Sequence, residues 1–265
     1  MRLVGRVFVS LLLVAVIAAA VYGGGPAIRW VLSSQGFGLL SREPMQPVQL
    51  SSLDRYTARV AAKPWFRSYF TTMVFDQQRD QTISSSALVT KWERPRVSIR
   101  LLNGDGPEVA AYLDRLVARL DRLQHQVRFV VGGAGPPLIT VQFLSHDAYV
   151  RAEGADSVGN TRTRYYTTSP GLIRARIAID VGTQSTPAEV ESTLIHELTH
   201  AIGCSGHFYS PSYRRRSVMY EANTLTTWSQ NDAAVIRLLY SPWIRPGMSP
   251  SRAQASLQLY ARSAE

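Results

Sequence analysis

One stretch constrains this chain more than any other: "TPAEVESTLIHELTHAIGCSGH", residues 186–207, which holds three of its five histidines. Thr186-Pro187-Ala188-Glu189 has the form of a capping box with proline at the first helical position, so a helix is predicted to begin there. Gly203 suits the left-handed position that ends a helix. Between them, Val190, Leu194, Leu198 and Ala201 make an apolar side, and His196 and His200 project from another. Histidines four apart point the same way, one turn up, so their ring nitrogens can meet one ion at about 2.0 to 2.1 Å. Glu197, turned about 100° from His196, falls beside such an ion.

This H-E-x-x-H spacing carries a chemistry. Zinc held by the two rings lowers the pKa of a bound water towards about 7 and polarises a carbonyl, while the glutamate takes the proton and passes it to the leaving amine. The expectations are one Zn2+ ion, Glu197 as the catalytic base, and a peptide or protein substrate. The third ligand decides the subclass. His207 is the first candidate, and Gly206 before it is expected to adopt backbone angles that other residues resist, bringing His207 back under the helix end. Glu221 and Asp232 are the alternatives, carboxylates downstream that sit in no second-helix ligand pattern.

Cysteine and charge exclude other classes. Cys204 is the only cysteine, so there is no intramolecular disulfide and no structural zinc site of the four-cysteine or two-cysteine, two-histidine kind. It reads as a small, partly buried residue after a helix end. The formal charge of +10 is almost all arginine, since Lys63 and Lys91 are the only lysines. A basic chain is drawn to anionic surfaces such as those of a cell envelope. No nucleic-acid motif accompanies the charge, and no nucleic-acid partner is expected.

Residues 1–31 read as an export element. Arg2 and Arg6 precede the uncharged stretch Val7 to Ile28, which fits either a removable signal peptide ending near Ala18 to Ala20 or a membrane anchor with Trp30 at the interface. Both place the rest of the protein outside the cytoplasm. Residues 32–90 read as a linker and N-terminal subdomain, 91–248 as the main domain, and 249–265 as a C-terminal tail. In the main domain "VSIRLL" alternates as a half-buried strand, "NGDGP" turns the chain, and Val109, Leu113, Leu116, Val117, Leu120 and Leu123 mark an amphipathic helix. "LITVQFL" gives another strand, and "TRTRYYTTSPGLIRARIAIDVG" gives two strands flanking a Ser169-Pro170-Gly171 turn. This order is α+β, with a mixed sheet packed on the histidine helix and a backing helix.

Three segments carry a resemblance. "HELTHAIGCSGH" resembles the elongated metzincin motif H-E-x-x-H-x-x-G-x-x-H/D with one residue inserted before the last histidine. "SVMY", Ser217 to Tyr220, resembles the Met-turn of that clan, and "WSQNDAAVIRLLY" is similar to the segment opening the last helix of matrixin-type members, with Ser229 as its cap. Over roughly Lys91 to Trp243 the resemblance implies a zincin-like fold, His196, His200 and His207 as zinc ligands, Glu197 as general base, and Met219 as the apolar base of the site. Glycine at position 206 departs from the strict pattern. "LLYSPWIRPGMS" and "IRARIAID" are also similar to segments of a bacterial zincin-like family of unknown function, which implies an envelope protein.

The function expected is that of an exported zinc metallopeptidase, its substrate extended along an edge strand of the "TRYYTTSPGLIRARI" hairpin. The alternatives are a catalytically silent zincin scaffold and a basic module that binds a membrane surface or cell wall.

Overall fold

The alternation of "VSIRLL" becomes strand β1 (Arg96–Asn103), with Val97 and Ile99 fully buried. "LITVQFL" becomes β3 (Ile139–Leu144), and the predicted strand pair becomes β4 (Gly159–Tyr165) and β5 (Leu172–Asp180). A further strand, β2 (Arg128–Val131), went unpredicted because its four residues are too few to show a period. The structure is a computed structural model that describes residues 52–75, 82–84, 86–103, 107–154, 157–165 and 171–264, all within the unit Pro44–Glu265. The export element, the turn residues 104–106 and Ser169 and Pro170 lie outside the described residues.

The five strands form one mixed sheet in the order β2-β1-β3-β5-β4. The first four run parallel, and β4 closes the row antiparallel to β5, leaving β4 as an edge. Helix α3 (Pro107–Leu123), between β1 and β2, buries Leu113, Leu116, Val117, Leu120 and Leu123 as its periodicity requires. Helix α4 (His146–Glu153) joins β3 to β4. Helix α5 (Pro187–Ala201) lies against β4 and β5, where Ala175, Ile177 and Ile179 face inward with no exposure.

The described helices of the segments read as accessory belong to this body. Residues 53–61 and 64–74 form helices α1 (Leu53–Ala61) and α2 (Pro64–Val74), and both pack on α6 (Gln230–Leu239). Residues 249–265, expected to be a tail, are instead helix α7 (Pro250–Ser263), packed on α1 and α2. Ala253, Leu257 and Ala261 recur at four-residue steps along its buried side, and Ser249 caps it by accepting from Arg252 N–H. Small residues made that stripe hard to see against the polar residues around it.

Candidate metal centre

Helix α5 starts where its capping box places it: Thr186 Oγ1 accepts from Glu189 N–H at 3.3 Å, and Glu189 Oε2 accepts from Thr186 N–H at 2.9 Å. At the other end Gly203 takes φ +108°, and a Cβ there would lie 2.1 Å from the Thr90 carbonyl oxygen, so only glycine fits. Trp92 Nε1–H and Tyr240 O–H donate to the Ala201 and Ile202 carbonyls, partners that the helix itself cannot supply. The helix is thereby held at both ends with His196, Glu197 and His200 in its last two turns.

His196, His200 and His207 converge. Their Nε2 atoms form a triangle with sides of 3.2, 3.2 and 3.1 Å. Three ligand atoms at tetrahedral positions 2.0 to 2.1 Å from one ion are about 3.3 to 3.4 Å apart, so the triangle has the size a zinc ion requires. Ring orientation agrees. His196 Nδ1–H donates to the Val218 carbonyl and His200 Nδ1–H to the Cys204 carbonyl, each at 2.7 Å. Because a carbonyl only accepts, the hydrogen of each neutral ring sits on Nδ1, and both Nε2 lone pairs face the centre of the triangle. Two such nitrogens 3.2 Å apart cannot hydrogen-bond to each other, and a cation between them would be held by both lone pairs. Burial, reinforced by the neighbouring imidazoles, holds His196 down at about 4 and His200 well below the usual histidine range, which keeps both rings neutral.

His207 reaches the triangle by a route different from the one predicted. Gly206 does not have a left-handed backbone; it lies against the end of α2, where a Cβ would come within 1.9 Å of the Thr72 carbonyl oxygen and 2.4 Å of that of Phe75. Its N–H donates to the Met73 carbonyl at 3.1 Å, and Ser205 Oγ donates to Val74 O at 2.9 Å. The glycine is needed for close approach rather than for unusual angles. Cys204 is fully rather than partly buried, and burial pushes its thiol well above the ordinary range, so it contributes a carbonyl and bulk, not a thiolate.

The SVMY turn holds two of the histidines at once. Val218 O accepts from His196, and Met219 O accepts from the N–H of Phe208, the residue after His207, at 2.8 Å. Met219 itself is fully buried. Asp232 lies behind this turn, away from the histidines: it accepts from Tyr69 O–H and Ser217 O–H on Oδ1, and from Val218 N–H and Ser229 N–H on Oδ2, at 2.6 to 3.1 Å. It is also the third residue of α6, capped by Ser229 as expected. Four donors saturate its carboxylate, so Asp232 has a structural employment that excludes it as a ligand here. Glu221 is exposed and lines the cleft onto which the histidines open, outside the histidine cluster itself. Asp232→Ala is expected to lower unfolding free energy by on the order of 3 to 5 kcal/mol, measured by urea denaturation, because buried donors lose their acceptor.

Glu197 borders the triangle. Thr161 Oγ1, on β4, donates to Glu197 Oε2 at 2.7 Å and lies 3.0 Å from its backbone oxygen. Burial pushes the carboxyl up to about 7, and the Thr161 hydrogen bond opposes that rise. Gly159 leaves room on the other side: a Cβ there would stand 2.5 Å from Oε1 and 2.9 Å from Cγ of Glu197. The three histidines and Glu197 open on a cleft of about 770 Å³. Neither Thr161 nor Gly159 was foreseen. Two signals pointed at them: the threonine-arginine alternation of "NTRTRY", which separates two faces, and a glycine at a strand start, which often marks a close approach.

The family described as Protein of unknown function (DUF2927) matches residues 66–259. The chain belongs to this family. The matched span begins within α2 and ends within α7, so the DUF2927 unit includes the end of α2 that holds the histidine loop as well as the whole sheet. No curated protein matches the chain. Among solved structures the chain is similar to myroilysin. One such structure has 16% identity and a TM-score of 0.37, with 57% of this chain and 82% of that chain covered. A second has 15% identity and a TM-score of 0.38, with 76% and 99% covered.

Proposed function

We propose that this DUF2927 protein is an exported zinc metallopeptidase of metzincin type. The observation that carries the reading is the Nε2 triangle of His196, His200 and His207, oriented by carbonyl acceptors, with the Glu197 carboxylate beside it. Zinc bound there would supply a Lewis acid that acidifies water and polarises a carbonyl. Glu197 takes the proton from the attacking water as its oxygen bonds to the carbonyl carbon, and delivers that proton to the amine as the C–N bond breaks. Thr161 holds the carboxylate in place throughout. The substrate lies extended on the open edge of β4, which borders the cleft. Export rests on residues 1–31, and among the described residues no helix is long and apolar enough to cross a membrane.

The test is turnover of a generic peptide library by the zinc-loaded protein. Cleavage that disappears in Glu197→Gln supports the reading; bound zinc without turnover assigns the protein to the silent-scaffold class. Gly159→Ala is expected to lower kcat/KM by about 10- to 100-fold with zinc content unchanged, because the added methyl displaces the Glu197 carboxylate, and with it the Thr193 methyl 2.6 Å away, but reaches none of the three histidines.

A further inference from the structure

The outer face of the sheet carries a cluster that hydrolysis does not use. In the β4–β5 pair Arg162 stands opposite Arg176, and Arg164 opposite Arg174. Residues opposite each other in an antiparallel pair share a face, and like charges so placed destabilise the sheet. Glu153, ending α4, offsets the first pair, with its oxygens 2.9 Å from Arg162 Nη2 and 2.7 Å from Arg176 Nη1. Gln142 Oε1 accepts from Arg176 Nε at 2.9 Å and fixes that side chain further. Arg164 and Arg174 are exposed and have no ion-pair partner among the described residues, and the connecting residues 166–170 contain no acid. The four arginines line a cleft of about 560 Å³ with Pro137 and Thr140.

Strand alternation ties this cleft to the metal centre. Gly159 and Thr161 face Glu197, and Arg162 and Arg164 point to the other side of the same edge strand, while Thr163 borders both clefts. A peptide added to the edge of β4 places the residues opposite Arg162 and Arg164, two apart in its sequence, on the arginine face. The residue between them turns towards the metal cleft.

We infer that the substrate is an acidic peptide: an extended segment with Asp or Glu at two positions separated by one residue, laid on β4 so that both carboxylates meet the arginine cleft. This rests on the metallopeptidase reading and adds the substrate class. Guanidinium forks match carboxylates two bonds at a time, and the unoffset Arg164–Arg174 pair gains most from such a partner.

Zinc-loaded Glu197→Gln protein, which retains the site without turnover, is titrated by fluorescence anisotropy with labelled alanine-threonine peptides in which an Asp-x-Asp pair is scanned along the length. Ala-x-Ala and Lys-x-Lys peptides serve for comparison. In one register Asp-x-Asp is expected to bind about tenfold more tightly than Ala-x-Ala, with the ratio shrinking as salt rises. Adding Arg164→Gln and Arg174→Gln is expected to bring the ratio to about one, and Arg164→Glu with Arg174→Glu to shift preference to Lys-x-Lys, with melting temperature checking the fold. A ratio of one in the parent, or a ratio unmoved by either pair of substitutions, overturns the inference. Library cleavage without acidic preference overturns it and leaves the peptidase standing; acidic peptides bound in the arginine cleft with no library cleavage by the wild type overturn the peptidase alone.

Discussion

Glu197→Gln is expected to lower kcat/KM on a cleaved peptide by on the order of 10² to 10⁴, with zinc still bound at one ion per chain. The substitution is nearly isosteric, and Thr161 O–H can donate to the amide oxygen as it does to the carboxylate, 2.7 Å away in the native site. The packing against Gly159 is likewise kept. What is lost is a group able to take a proton and return it. Since Glu197 is not among the three converging ligand atoms, metal content isolates its role from theirs. Full turnover in this variant, measured as product release by mass spectrometry, would remove Glu197 from the mechanism.

Gly206→Ala is expected to weaken zinc binding by about 10- to 100-fold or more, although residue 206 touches no ion and the new side chain is a single methyl. The atoms in its way are backbone: Thr72 O at 1.9 Å and Phe75 O at 2.4 Å from the new Cβ. Such neighbours cannot swing aside, so the loop must withdraw from α2 by more than an ångström. His207, the next residue, closes a triangle whose sides are 3.1 to 3.2 Å, a tolerance smaller than that displacement. His196 keeps its Val218 partner, whereas the Cys204 carbonyl that orients His200 lies two residues before the displaced glycine, so the helix pair retains only a weaker site. Competition with a chromogenic chelator reads the affinity, and circular dichroism checks that α2 and α5 remain folded. Unchanged affinity would mean that His207 does not ligate.

Legibility in the sequence followed the range of the interactions. Helix α5 was readable because everything that defines it lies within its own residues: capping box, apolar side, histidine pair and terminal glycine. The same holds for α3, β1 and β3. What escaped depends on partners distant in sequence. The carbonyls of Met73 and Val74 hold the Gly206 loop, and Tyr69 O–H, from the same α2, helps to saturate Asp232 more than 160 residues away. For that reason α2 looked like part of an opaque subdomain and Asp232 looked like a free carboxylate. Periodicity reports which side of an element is buried but not what buries it. The position of Gly206 illustrates this: glycine was read as a conformational need, and its neighbours make it a steric one.

The central claim is that three histidines from one helix and the loop after it form a zinc site, and metal analysis tests it most directly. The protein from Leu32 onward, purified without added chelator, is analysed for metals by inductively coupled plasma mass spectrometry alongside His207→Ala. One zinc per chain is expected in the wild type, with a large loss in the variant. Wild-type protein that is folded, exposed to zinc and still free of it would contradict the claim.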